Sequence, residues 1–479
     1  MKKMYMLLSA VLLFGVISTK AQFNVNLLHS FQNEYPYGNI TVIGNTLYGM
    51  AEDGGAHGYG CVFSLNRDGS NYKVLYSFSD TGSVAGKCSG EYPYGSLTYV
   101  NGKFYGCTYE GGFNGEGTIF RINKDGSGYK DLWDFSNLTG DYPYYGALTV
   151  YGNKFFGQTY SGGLNGYGAV FSIDTNGAGY KDIWDFDDTV SNGYYPESVS
   201  VTISKGKIYG MVYDGGRNNE GVIYSLDTNG QKYKDLFDFN YTDTTGEYPY
   251  GALLLHGNTL YGTTYEGNRY WDDGTVFSID TTGNNYKMLH FFSYYDGEEP
   301  YGDLTWAKGR LYGTTEYGGT GADEGTVFSI DSAGNNFTSM VSFNDGNGEN
   351  PYGDITISGD TLFGMTEDGG LDGRGVVFSI IDDRMVQSTN DIAATVASSI
   401  NVYPNPNNGM FTVNCKVDGN EPMTMHVFNV LGENVYTGSI KNNSNNQVDL
   451  SNLTGGVYLY KVITETGSLV NDGKIVLEK

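Results

Sequence analysis

The sequence is poor in histidine and in positive charge, and these shortages argue against several functions. The five histidines, at His29, His57, His256, His290 and His426, are scattered, and no two have the spacing of metal ligands. The 28 basic residues stand against 54 acidic ones, giving a formal net charge of −26. Such a chain is expected to repel phosphate backbones and anionic lipid. A Gly-x-Ser-x-Gly motif, the commonest signature of acyl transfer, is also missing.

Long apolar runs are scarce as well. The longest, residues 6–17, follows two lysines and precedes Thr19-Lys20-Ala21, an end suited to a signal peptidase. It is too short to remain in a bilayer as an anchor. The pattern predicts a signal peptide over residues 1–21 and an exported chain without a transmembrane segment.

Strong helix patterns are missing, whereas 71 glycines and 43 tyrosines indicate an all-β protein. A repeat of about 50 residues accounts for most of the chain. Its first marker is the proline of a tyrosine-rich turn, which recurs at Pro36, Pro93, Pro143, Pro196, Pro249, Pro300 and Pro351. Two further markers keep the same register. They are an aromatic-Gly pair, as at Gly106, and a Gly followed three residues later by an aromatic, as at Phe120.

One copy contains four short strands separated by turn residues. We place them at residues 95–100, 103–109, 118–123 and 129–135, with the Asn101-Gly102 and Asp125-Gly126 turns between neighbours. Gly106 lies inside the second strand and suggests a close approach by neighbouring backbone. Four antiparallel strands in 40–50 residues are roughly the size of one propeller blade.

The two ends of the repeat region share one copy. The seventh copy stops after its third strand at residues 376–381, and the missing fourth strand matches residues 23–31. We therefore predict a seven-bladed β-propeller over residues 22–384, closed by its N-terminal strand, which removes exposed sheet edges. An open β array is the alternative.

After residue 384 the repeat ends. Residues 385–399 are small and polar and are predicted to be a linker. Residues 400–479 contain several alternating strands and predict a small Ig-like β-sandwich. They resemble the type IX secretion C-terminal sorting domain of Bacteroidetes, through Tyr403-Pro404-Asn405-Pro406, Gly456-Val457-Tyr458 and Lys474-Ile475-Val476. The resemblance implies the type IX machinery as a partner, passage through the outer membrane, and either release or attachment to the cell surface.

The repeats themselves are similar to the GloVer-type tandem repeat of bacterial secreted proteins. Gly313-Thr314-Thr315, Gly318-Gly319 and Gly325-Thr326-Val327-Phe328 carry this resemblance best, and Gly267-Asn268 departs from it. The family implies a propeller-like repeat and no settled activity.

Candidate binding residues lie on the loops before each Tyr-Pro turn, where a propeller would present them on one face. An acid stands two residues before proline in six copies, a tyrosine follows proline in six, and the fourth copy differs. The set is Glu34, Tyr37, Glu91, Tyr94, Asp141, Tyr144, Tyr194, Glu197, Glu247, Tyr250, Glu298, Tyr301, Glu349 and Tyr352. Tyrosines beside carboxylates suit sugar rings. Packing between blades would also repeat one residue per copy.

The sequence thus favours an exported, non-catalytic, glycan-directed binding module. A polysaccharide lyase or glycoside hydrolase is one alternative, and a protein adhesion platform is another. We expect no cofactor, although the oxygen-rich segment 345–349 could hold calcium. Among Cys61, Cys88 and Cys107, one disulfide and a set of small buried residues are equally good interpretations.

Overall fold

The computed structural model describes residues 23–79, 89–189, 192–241, 245–267, 273–321, 323–385, 399–416, 423–429, 434–442, 444–464 and 469–478. The chain divides into two compact units, Met1–Val386 and Gln387–Lys479. The predicted signal peptide, Cys88 and residues 386–398 of the predicted linker lie outside the described residues.

The first unit is built of antiparallel strands, so the all-β prediction is confirmed. Within its described residues, seven sheets have four strands each, numbered sheet 1 to sheet 7 along the chain. Their first three strands are Pro36–Ile43, Thr46–Ala51 and Cys61–Asn66 in sheet 1; Thr98–Val100, Lys103–Thr108 and Thr118–Asn123 in sheet 2; Thr149–Tyr151, Lys154–Thr159 and Ala169–Asp174 in sheet 3; Thr202–Ser204, Lys207–Val212 and Val222–Asp227 in sheet 4; Leu254–His256, Thr259–Thr264 and Thr275–Asp280 in sheet 5; Thr305–Ala307, Arg310–Thr315 and Thr326–Asp331 in sheet 6; and Thr356–Ser358, Thr361–Thr366 and Val376–Ile381 in sheet 7.

The fourth strands of sheets 1 to 6 are Lys73–Ser77, Lys130–Asp134, Lys181–Asp185, Lys234–Asp238, Lys287–Phe291 and Thr338–Ser342. The fourth strand of sheet 7 comes from the start of the described chain. Val25–Ser30 pairs antiparallel with Val376–Ile381, so that Val25 faces Ile380 and Ser30 faces Val376. The predicted pairing between the two ends of the repeat region is therefore present.

Two of the three repeat markers contact each other across each sheet. Gly106 and Phe120 are register partners on neighbouring strands, and a Cβ atom at Gly106 would lie 2.8 Å from the Phe120 ring. The equivalent pair in sheet 7, Gly364 and Phe378, shows the same overlap. The prediction that Gly106 admits neighbouring backbone was therefore wrong, because the space above the glycine is filled by an aromatic ring.

Apolar side chains pack between adjacent sheets. One cluster joins sheets 1 and 2 through Met50, Phe78 and Phe104, and another joins sheets 7 and 1 through Phe363 and Phe63. Burying each such ring contributes about 1.5–3 kcal/mol. The core therefore consists of repeated layers between sheets, as expected when every repeat contacts its neighbours.

Threonine hydroxyls add a hydrogen bond between most pairs of neighbouring sheets. The first-strand threonine donates to a main-chain carbonyl of the next sheet, as Thr98 does to Leu148 at 2.8 Å. Thr356 of sheet 7 donates to the carbonyl of Ile40 in sheet 1. Leu254 of sheet 5 has no hydroxyl, and there the amide of Ala252 donates to Asp303 instead.

The remaining elements of the first unit are short. Two ribbons pair Gly90–Glu91 with Glu110–Gly111 and Gly193–Tyr194 with Asp214–Gly215. A 3-10 turn, Asp383–Met385, follows sheet 7 and includes the first predicted linker residue.

The second unit has two sheets around one apolar core. Ser399–Tyr403, Met410–Lys416 and Ser444–Asp449 form the first sheet in that order, and Asn434–Ile440, Met423–Phe428, Gly456–Thr464 and Leu469–Leu477 form the second. Residues 423–428 alternate between buried and half-buried, as a strand with one face on the core should. Val413 and Phe411 of the first sheet pack against Val427 and Ile475 of the second.

Candidate functional site

The loops that carry the predicted binding residues lie beside the glycine-rich loops of the same sheets. Main-chain bridges join them at Glu91 and Glu110, at Tyr194 and Asp214, and at Glu349 and Asp368. Corresponding bridges are formed by Asp141, Glu247 and Glu298 with Ser161, Glu266 and Tyr317. Both loop families therefore share one face of the first unit.

The tyrosines that follow proline meet at the centre of this face and form what we name the tyrosine ring: Tyr37, Tyr94, Tyr144, Tyr250, Tyr301 and Tyr352. The centroid distances are 4.7 Å from Tyr352 to Tyr37, 5.1 Å on to Tyr94 and 5.2 Å on to Tyr144. Tyr250 lies 3.7 Å from Tyr301, which lies 4.8 Å from Tyr352. Six residues from six repeats are thus brought into one aromatic cluster.

Glu197 occupies the seventh place in this ring. Its carboxyl group hydrogen-bonds the hydroxyl of Tyr250, and burial raises its pKa to about 7. The fourth repeat, which the sequence marked as the exception, therefore supplies a carboxyl group among the tyrosines.

The acids two residues before proline do not join the tyrosine ring. Asp141 is buried and accepts a hydrogen bond from the Ser161 hydroxyl. Glu349 lies with Asp345 and Glu324, where one carboxylate oxygen from each lies within 4.8 Å of the others. Glu34, Glu91, Glu247 and Glu298 are likewise not among the acids whose charges act most strongly on the ring tyrosines. Most of these acids sit in the bridges between the two loop families instead.

The residues that do surround the tyrosine ring were missed by the sequence analysis. They share one repeat position, directly after the second strand of each sheet: Glu52, Tyr109, Tyr160, Tyr213, Tyr265, Glu316 and Glu367. We name Glu316, Glu367 and Glu52 the acidic arc, because they come from the neighbouring sheets 6, 7 and 1. The four tyrosines of sheets 2 to 5 form the aromatic arc. When the seven copies are aligned, this position holds glutamate in three copies and tyrosine in four.

The acidic arc contacts the tyrosine ring through hydrogen bonds. Glu316 accepts from the hydroxyl of Tyr352, and Glu52 hydrogen-bonds Tyr94. Burial, together with neighbouring acids, raises the pKa of Glu52 and Glu316 to about 7 and that of Glu367 to about 8. These carboxyl groups therefore exchange protons near neutral pH.

The aromatic arc packs in layers. Tyr213 stacks on Tyr248 at 4.8 Å, and Tyr160 stacks on Tyr195 at 5.1 Å. Tyr248 and Tyr195 directly precede proline and have φ angles of 55° and 56°. Left-handed backbone at non-glycine residues is unfavourable and is found preferentially at functional sites. The conformation turns each of these rings onto the tyrosine of the preceding sheet.

Beneath the tyrosine ring, Tyr145 crosses the centre of the unit. It is the extra residue in Pro143-Tyr144-Tyr145-Gly146, compared with Pro93-Tyr94-Gly95, and it is fully buried. Its hydroxyl donates to Asp354, just before the first strand of sheet 7, at 2.9 Å, and lies 3.0 Å from the carbonyl oxygen of Tyr352. Asp354 also lines a cavity of about 250 Å³, together with Leu148, Val201, Leu253, Leu304 and Asp303, among other residues.

One cluster of carboxylates bears on the predicted calcium ligand. Glu324, Asp345 and Glu349 are the carboxylates that could hold a metal ion among the described residues, and two of them lie in the segment proposed for calcium.

Cys61 and Cys107 are buried with free thiols in the described part of the chain, and burial raises the pKa of Cys61 to about 12. In the same part of the chain, no helix has the length and apolar character needed to cross a bilayer.

Two family models match the sequence. The Gloeobacter/Verrucomicrobia repeat matches residues 13–203 and 196–421, and the secretion system C-terminal sorting domain matches residues 401–478. Both resemblances drawn from the sequence are thereby confirmed. The sorting domain indicates secretion across the outer membrane to the cell surface or the extracellular space. No curated protein matches the chain.

Similar solved structures are distant. A puromycin-hydrolysing peptidase of Mycobacterium tuberculosis has 11% identity and a TM-score of 0.49, with 81% of this chain covered. The GH74 enzyme of Niastella koreensis has 12% identity and a TM-score of 0.49, covering 94% of this chain and 67% of its own. The β-propeller domain of the Trilobed protease from Pyrococcus furiosus has 9% identity and a TM-score of 0.42, covering 72% and 95%. The chain spans only 59% of the length of the peptidase.

Proposed function

Because the chain belongs to the Gloeobacter/Verrucomicrobia repeat family and carries a sorting domain for secretion, we propose that it acts outside the cell as a non-catalytic glycan-binding β-propeller. The proposed propeller has seven blades, sheets 1 to 7, with the N-terminal strand as the clasp of the last blade. The pairing of Val25–Ser30 with sheet 7 and the bond from Thr356 to Ile40 support this closure. The second unit, with two sheets on one core, fits a small Ig-like sandwich.

The tyrosine ring is the observation that carries the glycan assignment. Tyr94, Tyr144, Tyr301 and Tyr352 are only partly buried, so part of each residue is accessible to a ligand. Sugar rings stack on such faces, and their hydroxyl groups donate to carboxylates like those of the acidic arc. Tyrosines held in place by packing against one another lose little side-chain entropy when a ligand binds.

The experiment is a glycan array probed with the exported chain, followed by titration calorimetry of any hit. Tyr144→Ala should weaken binding at least tenfold, because it removes a stacking face at the centre of the site. Tyr151→Ala is the matched control, since Tyr151 is an exposed tyrosine on the first strand of the same sheet 3. An array without any hit, or a Tyr144→Ala protein that binds as well as the control, would refute the proposal.

A polysaccharide hydrolase or lyase is the second candidate, and the raised carboxyl pKa values favour it. A general acid works best with a pKa near the working pH, and Glu197 and the acidic arc meet that condition. Incubating each bound polymer with the protein and analysing the products by mass spectrometry decides between the two. Release of oligosaccharides that is lost in Glu197→Gln would establish the enzyme.

A further inference from the structure

The cavity lined by Asp354 has the composition of a binding site for a small molecule. Its volume is about 250 Å³, and it is partly open, so that a small ligand can enter. Most of the wall is alanine, valine and leucine from the start of the first strands of sheets 3 to 6, including Leu148, Val201 and Leu253. Ligand pockets typically combine such apolar walls with a few polar groups that orient the ligand.

Most polar side chains of the cavity wall already have partners inside the protein. The hydroxyl groups of Thr149, Ser200 and Thr202 donate to main-chain carbonyl groups of neighbouring sheets. Asp354 is also compensated, because it accepts hydrogen bonds from the Tyr145 hydroxyl and the Asn39 side chain. These four lining residues therefore have little hydrogen-bonding capacity left for a ligand.

Asp303 is the exception in the wall. One oxygen of its carboxyl group accepts the main-chain amide of Ala252, and the other oxygen has no hydrogen-bond donor among the described residues. Its charged neighbour is another acid, Asp354, and in the same part of the chain no basic side chain acts on Asp303. A carboxylate held away from bulk water without a partner is unfavourable, so this oxygen favours a cation that also donates a hydrogen bond.

A protonated aliphatic amine matches both properties of the cavity, its apolar wall and its single unpaired carboxyl oxygen. Calcium fits less well, because it takes about six to eight oxygen ligands and the other oxygens of the wall are engaged. We propose that the cavity binds a short primary aliphatic amine, with the ammonium group on Asp303 and the alkyl chain against the leucine and valine side chains. A charge-assisted hydrogen bond of this kind is stronger than one between neutral groups.

The test is titration calorimetry of the exported chain at pH 8 with n-butylamine, n-butanol and butyrate. Burial raises the pKa of Asp303 to about 6, so at pH 8 its carboxyl group is ionised, whereas an alkylammonium ion keeps its proton. We expect n-butylamine to bind at least tenfold more tightly than n-butanol, which has the same shape without the charge. Butyrate should not bind, and calcium chloride should displace n-butylamine no better than sodium chloride of equal ionic strength.

Asp303→Asn should abolish the preference for n-butylamine over n-butanol, because it removes the charge and keeps an oxygen for the amide of Ala252. Asp372→Asn is the matched control, since it changes the net charge equally at an exposed residue of the glycine-rich loop of sheet 7 and should keep the preference. Ala147→Leu enlarges a side chain of the wall and should weaken n-butylamine and n-butanol together. Melting temperatures show whether each variant is folded, and Ala147→Leu decides the question if Asp303→Asn does not fold.

Several results would overturn the proposal. Equal affinity for n-butylamine and n-butanol, or binding of neither, would show that the cavity holds water only. An unchanged preference in Asp303→Asn, or a preference lost equally in Asp303→Asn and Asp372→Asn, would place the bound amine elsewhere on the acidic chain. None of these results bears on glycan binding at the tyrosine ring, because Tyr145 contacts the ring with its aromatic face or edge and the cavity residue Asp354 with its hydroxyl.

Discussion

The aromatic arc and the acidic arc occupy the same position in their repeats, yet they have different surroundings. In the aromatic arc, Tyr160 and Tyr213 stack on the tyrosines that precede the next proline. In the acidic arc, Glu52 and Glu316 hydrogen-bond tyrosines of the central ring. The scaffold is repeated, and the change from tyrosine to glutamate at one position divides a near-symmetric face into a stacking side and a charged side.

Tyr145 connects the two sides, and removing its side chain should have the largest effect on stability. Tyr145→Ala deletes a fully buried ring and leaves Asp354 without its hydroxyl donor, so we expect a loss of about 3–5 kcal/mol in the free energy of unfolding. Tyr145→Phe keeps the ring and should cost about 1–3 kcal/mol. Chemical denaturation measures both.

Tyr151→Ala, which truncates an exposed tyrosine of the same sheet, is the control and should change stability by less than about 0.5 kcal/mol. Equal stability of Tyr145→Ala and this control would contradict a structural link across the centre.

The acidic arc should make stability depend on pH, whereas the aromatic arc should not. The folded pKa values of about 7, 7 and 8 lie above the ordinary value of 4.5, so the folded protein retains protons that the unfolded chain loses. This contribution to stability is complete below about pH 4.5 and disappears as pH rises to about 8. The melting temperature of the wild type should therefore fall more steeply between pH 5 and pH 8 than that of the variant with Glu52, Glu316 and Glu367 all changed to Gln.

Asp360→Asn serves as the charge control, because Asp360 directly precedes the second strand of sheet 7 and lies outside the acidic arc. This variant should keep the slope of the wild type. Parallel melting curves for the wild type and the triple variant would show that the acidic arc does not hold protons near neutral pH.

Truncation of the aromatic arc should weaken all glycans alike. Tyr213→Ala removes one stacking face, worth about 0.5–1.5 kcal/mol, so every bound glycan should lose roughly twofold to twelvefold in affinity. Calorimetry measures this loss. If Tyr213→Ala left the affinity unchanged, the aromatic arc would not contact the ligand.

The smallest effect is expected from a hydroxyl at the edge of the aromatic arc. The Tyr265 hydroxyl donates to Glu299 at 2.7 Å, and Tyr265→Phe removes that bond while keeping the ring. We expect a loss of about 0.5–1.5 kcal/mol in stability, measured by denaturation, with unchanged glycan binding. A clear loss of binding would mean that this hydroxyl contacts the ligand.

Much of the fold was predictable because the residues of each repeat indicate where its strands and turns lie. The predicted strand at residues 118–123 is present as Thr118–Asn123, and the predicted strand at 103–109 ends one residue earlier, at Thr108. Turn residues fix such boundaries locally, so a single copy suffices. The role of Gly106 was misjudged, because its neighbour Phe120 lies across the sheet and is close only after the strands pair.

The site was only partly predictable. The tyrosines after proline were identified, and they do meet at the centre of the face. Glu52, Glu316 and Glu367 were missed because they follow a strand and precede a glycine-rich loop, a position that looks like ordinary turn chemistry. Tyr145 was missed because a single inserted residue does not reveal that its side chain crosses the unit.

The sequence by itself determined the repeat, its strands, the pairing of its two ends and the sorting domain for secretion. Each of these depends on neighbouring residues or on a pattern repeated along the chain. Only the tertiary structure decided which side chains share the centre of the face. The physical reason is that Glu52, Glu197 and Glu367 come from sheets far apart in the sequence, and their raised pKa values depend on burial beside tyrosines of other repeats.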